Sequence, residues 1–186
     1  MEENTIKKDE KESRKEKAHF RSKMKKILWS IVIVAILAGV TYISTRPPKP
    51  RPGSEFTILG QEHINIDAEH IAYNSNPPTS GPHYVKPAEW GVYQEELPDE
   101  QLIHNLEHGG IWISYKPGDE EVKSKLEALG KRFPRSVVVT PRALNDSPIT
   151  LASWGRLEKL DVYNEDQIKN FIRRNTNKSP EPLAGF

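Results

Sequence analysis

The stretch from Ile27 to Thr45 (ILWSIVIVAILAGVTYIST) carries no charge and sets the first limit on what this chain can fold into. As a helix rising about 1.5 Å per residue it reaches roughly 28 Å, the thickness of a bilayer core. A buried helix of a soluble domain normally keeps a polar face over such a length, and this run has none. Lys23, Lys25 and Lys26 crowd its N-terminal end, while Arg46 stands alone beyond the other. The positive-inside rule then puts residues 1–26 in the cytoplasm and everything after the span outside. Trp29 and Tyr42 fall near the two ends, where amphipathic rings favour the interface. A cleaved signal peptide is the rival reading. The long charged head and the lack of a small-x-small site after the apolar run favour an uncleaved anchor, residues 27–45.

The flanks differ in charge. Residues 1–26 hold ten Lys/Arg against six Asp/Glu, a net of +4, whereas residues 46–186 carry a net of −3. The first segment lacks an apolar stripe and reads as a disordered or frayed tail. The second has no basic face of the kind phosphate-backbone binding needs, so nucleic acid is not an expected partner. Residues 46–54 (RPPKPRPGS) contain four prolines and read as a semi-rigid spacer before a globular domain over 55–186. The chain has no cysteine, which excludes disulfides, Cys-ligated zinc, iron–sulfur clusters and thiol catalysis.

Within the domain, residues 56–59 and 63–66 read as short strands around Gly60. Residues 73–91 carry four prolines and two glycines and read as a long, stiff loop. Helices are expected at 99–108, 119–133 and 164–175, and strands at 111–115, 136–140 and 149–154, with 157–163 extending or pairing with the last. Val122, Leu126, Leu129 and Phe133 form one apolar stripe, and Asn164 with Gln167 has the spacing of a capping box. This order gives an α+β or α/β class: a single transmembrane helix, then one small mixed domain with two or three helices packed on a sheet. Its β-α-β-β-α ending has the shape of the end of thioredoxin-like domains, an analogy of form only.

Five histidines follow the apolar run: His63, His70, His83, His104 and His108. At about 100° per residue, Leu102, Ile103 and Leu106 share one face of the 99–108 helix, and His104 and His108 lie almost opposite. Imidazoles at i and i+4 form a bidentate arrangement for a divalent metal, and His83 on the stiff loop is the candidate third ligand. Glu107 and Tyr84 are candidate supporting partners of these ligands. Helix capping or surface hydrogen bonding is the bland alternative for the pair. Three histidines with an open position imply an exchangeable site, at which metal-bound water attacking an ester or amide is the permitted reaction class. Without sulfur ligands in the domain, Zn²⁺ and Cu²⁺ suit the nitrogen and oxygen donors best, and Cu(I) does not. The string His104–His108 also matches H-x-x-E-H, but Gly109-Gly110 ends the helix at once and the domain is small for such a peptidase. The second class of function is a non-catalytic interaction module of the cell envelope. Its contact surface would be the proline-rich loop and its aromatic residues, which otherwise serve to pin that loop to the core.

These same residues carry a resemblance. Asn76-Pro77-Pro78-Thr79-Ser80-Gly81-Pro82-His83-Tyr84, Trp90-Gly91-x-Tyr93 and His104-Asn105-Leu106-Glu107-His108-Gly109-Gly110 resemble the bacterial domain-of-unknown-function family three-one-zero-five. So do Thr140-Pro141-Arg142 and Ala152-Ser153-Trp154-Gly155-Arg156, with Ser153 standing where the family pattern implies a small residue such as Ala. The likeness spans about residues 56–182 and implies a membrane-anchored envelope protein. It implies no activity.

Overall fold

The computed structural model describes residues 2–45 and 50–185. They divide into two units, Met1–Lys49 and Pro50–Phe186.

The first unit is one helix, α1 (Glu2–Ser44). Its segment His19–Ser44 is long and apolar enough to cross a membrane, and none of that span is buried by protein. Ser30 donates to the Lys26 carbonyl at 2.9 Å and Thr41 to that of Leu37 at 3.0 Å, so both hydroxyls are satisfied within the helix. Of the two readings of residues 1–26, disordered or frayed, the disordered one is corrected here, because helix α1 begins at Glu2. Lys, Glu and Arg are good helix formers, and a helix already nucleated by the apolar span extends into them without a second nucleation cost. Residues 46–49 of the expected spacer lie outside the described residues. The rest of it is docked: Asn175 Nδ2 donates to the Pro52 carbonyl and Arg156 Nη1 to that of Gly53, at 3.3 and 3.0 Å.

The second unit is an α+β domain with a mixed six-stranded sheet and three helices. Its strands are β1 (Ser54–Glu55), β4 (Gly91–Val92), β5 (Ile111–Tyr115), β6 (Val137–Pro141), β7 (Ile149–Ser153) and β8 (Arg156–Leu160), in the order β1-β8-β7-β5-β6-β4. β4, β5 and β6 are parallel to one another, and β7, β8 and β1 continue antiparallel. A separate two-stranded parallel ribbon pairs β2 (His63–Ile64) with β3 (His83–Tyr84).

The central strands are buried along their whole length, and alternation divides them between two cores. Ile111, Ile113 and Tyr115 point to the face covered by α3 (Glu120–Gly130) and α4 (Glu165–Asn175), where they meet Leu126, Leu129, Ile168, Phe171 and Ile172. Trp112 points the other way, to Leu102, Ile103 and Leu106 of α2 (Asp99–Glu107) and to Ala152 and Trp154. Each fully buried aliphatic or aromatic side chain here is worth about 1.5–3 kcal/mol over its exposed state. Helix α4 starts where the sequence places its cap: Asn164 accepts from the Gln167 N–H at 3.0 Å. The Gln167 side chain does not complete a capping box, because it donates to Glu158 on β8 at 2.7 Å.

The short strands differ from expectation. Residues 56–59 are not a strand; the pairing lies just before them, where Ser54 and Glu55 meet Leu157 and Arg156. The expected loop 73–91 is irregular except at His83–Tyr84 and where β4 begins at Gly91. Two-residue pairings carry no periodicity, so tertiary contacts alone decide them.

Candidate metal centre

Helix α2 has the faces its sequence implies. Leu102, Ile103 and Leu106 are fully buried in the core, and the opposite face lies beneath the proline-rich loop. Asn105 clamps that loop: its amide donates to the Ala88 carbonyl at 2.8 Å and accepts from the Ala88 N–H at 2.9 Å. The helix ends in a Schellman motif, with Gly109 N–H bonded to the Leu106 carbonyl and Gly110 N–H to that of Asn105. Gly109 sits at φ +84°, where only glycine is unstrained, and a Cβ on Gly110 would stand 2.3 Å from the Trp90 ring. The remaining carbonyls at this helix end are satisfied by the C-terminal segment, whose Glu181 N–H reaches Glu107 O at 3.1 Å and Leu183 N–H reaches His108 O at 2.9 Å.

Arg142 secures the other end of α2. Its guanidinium takes both carboxylate oxygens of Asp99, Nε to Oδ1 at 2.9 Å and Nη2 to Oδ2 at 2.7 Å, and donates to Asn76 Oδ1 at 2.6 Å. The first residue of the helix, the start of the proline-rich motif and the Thr140-Pro141-Arg142 motif are thereby one network. The Arg142 side chain is buried, and its guanidinium lies 5.8 Å from the Trp112 ring centre.

Between these two fastenings, histidines from three elements converge. Register in the β2–β3 ribbon sets His63 opposite His83, with ring centres 4.8 Å apart. His104 stacks on His63 at 4.9 Å and meets His83 edge-on at 5.1 Å. One ligand nitrogen from each of His63, His83 and His104 lies within 4.8 Å of the others. The tautomers follow from carbonyl partners, which only accept. His83 Nδ1–H donates to Gly81 O at 2.8 Å and His104 Nδ1–H to Tyr84 O at 2.6 Å, so in both rings Nε2 is the atom presented to the cluster. Burial pushes the His104 pKa down, the Tyr84 carbonyl opposes this, and the His108, His83 and His63 rings push it further down. A neutral imidazole with a fixed Nδ1–H is the state a metal ligand requires.

Glu107 is buried beside them. Its Oε1 accepts from Gln61 Nε2 at 2.9 Å, and its Oε2 lies 3.0 Å from His83 Nε2 and 3.6 Å from His63 Nε2. Among the described residues no Lys or Arg pairs with it. His83 Nε2 thus faces Glu107 Oε2 at 3.0 Å while its Nδ1–H is held by Gly81.

His83 and His104 therefore meet as the sequence reading requires, but the third ring in their group is His63. His108 is not in that group but pairs with His104, Nε2 atoms 3.1 Å apart, and its Nε2 also lies 3.3 Å from Glu181 Oε2. Tyr84 supports His104 through its main-chain carbonyl. Tyr84 also lines a groove of about 370 Å³ with Ile64, Ile66, Val85, Pro98 and Gln101. His70 is outside the group, packed on Tyr73 and 3.3 Å from Glu100. His63 and Glu181 were not legible as site residues. His63 joins only through strand register, and Glu181 only through the path of the C-terminal segment.

No curated protein and no solved structure matches the chain. A family profile described as "Protein of unknown function (DUF3105)" matches residues 63–185, a span that opens at His63 and includes His83, His104, Glu107 and His108. The match covers about two thirds of the sequence, so the chain belongs to this family.

Proposed function

We propose that this protein is a single-pass, membrane-anchored extracytoplasmic domain that binds a divalent transition-metal cation at its imidazole cluster, with Zn²⁺ or Cu²⁺ as the compatible ions. The observation that carries the reading is the approach of ligand nitrogens from His63, His83 and His104 to within 4.8 Å. Two of these rings are already fixed by carbonyl partners with Nε2 presented inward. Imidazoles preorganised beside a buried carboxylate form a donor set that a cation completes at little reorganisation cost. His63 and His108 are the partly exposed members and give the cluster its access to solvent. Orientation rests on Lys23, Lys25 and Lys26 at the N-terminal end of the span.

The interaction-module alternative relies on the proline-rich loop as a contact surface. Residues 77–83 of that loop are buried against the domain, which leaves it little surface to offer a partner. Metal analysis of the full chain decides the matter, with the protein purified in detergent without an affinity tag, stripped with chelator and reconstituted. About one metal ion or more per chain supports the reading, and less than about 0.1 overturns it. His83→Gln and His104→Gln should each lower retention while the metal-free far-ultraviolet spectrum stays that of the wild type.

A further inference from the structure

The donors around His104 exceed what one ion uses. A single tetrahedral cation with bonds of about 2.1 Å holds its ligand atoms roughly 3.4 Å apart. The His63–His83–His104 group spreads to 4.8 Å, wider than that edge. The short separations fall elsewhere, in two sets. His83 Nε2 and His63 Nε2 lie 3.0 and 3.6 Å from Glu107 Oε2. His104 Nε2 lies 3.1 Å from His108 Nε2, which lies 3.3 Å from Glu181 Oε2. Building on the metal-binding reading above, we propose that the centre holds two divalent cations side by side, one on His63, His83 and Glu107 and the other on His104, His108 and Glu181.

Each set is two imidazoles and one carboxylate, a composition found at open, three-ligand metal sites. Rings of the two sets are 4.9 and 5.1 Å apart between centres, a spacing compatible with cations about 3.5–4 Å from one another. Two carboxylates offset part of the charge of the two ions. Glu107 is the buried one, and among the described residues only histidines stand near it as cationic partners. Glu181 is the exposed one, held in place by main-chain bonds that do not involve its side chain: its own N–H to Glu107 O, and the Leu183 and Ala184 N–H groups to His108 O, at 3.1, 2.9 and 2.9 Å. The C-terminal segment thus completes the second site. The His108 Nε2–H that now bridges to His104 or Glu181 is the proton that the second cation replaces.

Native mass spectrometry of the full chain in detergent tests this directly. The tag-free protein is stripped with chelator and titrated with Zn²⁺. The expected count is two zinc ions per chain for the wild type, and one for Glu181→Gln and for His108→Gln, both partly exposed positions. The circular dichroism of each metal-free variant should match that of the wild type. A wild-type count of one overturns the two-cation proposal and leaves the metal-binding reading standing. Two ions retained by both variants also overturns it, since the second set would then be wrongly composed. A count of zero overturns both readings.

Discussion

Replacing Arg142 by Ala removes the guanidinium that joins α2, the proline-rich segment and the end of β6, without touching any metal donor. The variant loses two charge-assisted bonds to Asp99, one to Asn76 and one to Asn145, and leaves the Asp99 carboxylate without its cation. Breaking a buried ion pair costs about 3–5 kcal/mol. Asp99 remains 22% exposed, so water recovers part of its solvation and the expected loss is about 2–4 kcal/mol. For a domain of this size that corresponds to a fall in Tm of about 6–15 °C. Tryptophan fluorescence is the natural readout, because Trp112 lies under the guanidinium. Arg142→Lys keeps the charge but cannot take both Asp99 oxygens at once, and should lose at least half as much. Since Asp99 opens the helix that carries His104, and Asn76 opens the motif that carries His83, Zn²⁺ affinity should weaken in both variants. A drop below about 2 °C for Arg142→Ala, or wild-type behaviour of Arg142→Lys, would refute the idea that this fork holds the site together.

Gly110→Ala puts a Cβ 2.3 Å from Trp90 and 2.9 Å from the Asn105 carbonyl, and should lower stability by about 1–3 kcal/mol in chemical denaturation. Ser153→Ala removes a buried hydroxyl that has no hydrogen-bond partner among the described residues, and should raise stability by about 1 kcal/mol in the same assay. The depressed His104 pKa also has a sign. Its folded value lies below its unfolded value, so the unfolded chain takes up the proton first as pH falls. The stability this residue contributes is present above the ordinary histidine value near 6.5 and is lost as pH drops through the folded value. The metal-free wild type should therefore lose Tm below pH 6.5 more steeply than His104→Gln, and parallel curves would contradict the assignment.

How far the sequence carried each element depends on the length over which a pattern repeats. The helices α2, α3 and α4 and the strands β5 to β7 show in such features as the spacing of Leu102 and Leu106, that of Val122, Leu126 and Leu129, and the runs IWISY and SVVVT, whereas β8 shows only as a stretch that extends or pairs with the strand before it. Strands β1 to β4 have two residues each, too few for any period, and exist because neighbouring segments supply their partners. The same contrast divides the site. His104 and His108 were visible as an i, i+4 pair, and His83 as a histidine on a stiff loop. His63 has no sequence relation to them, since one register in a two-residue ribbon brings it in. Glu107 reads from the sequence only as a candidate supporting partner, because helix spacing alone does not show that Gln61, His63 and His83 close over it. The tail of α1 was misread for the reverse reason: its charged composition suits both a disordered chain and a helix prolonged from an apolar one.

X-ray absorption at the zinc edge of the reconstituted full chain tests the central claim most directly. The account predicts a first shell of nitrogen and oxygen at about 2.0–2.1 Å, with the outer-shell scattering of imidazole rings and no sulfur. A shell of oxygen alone, without imidazole scattering, would contradict it.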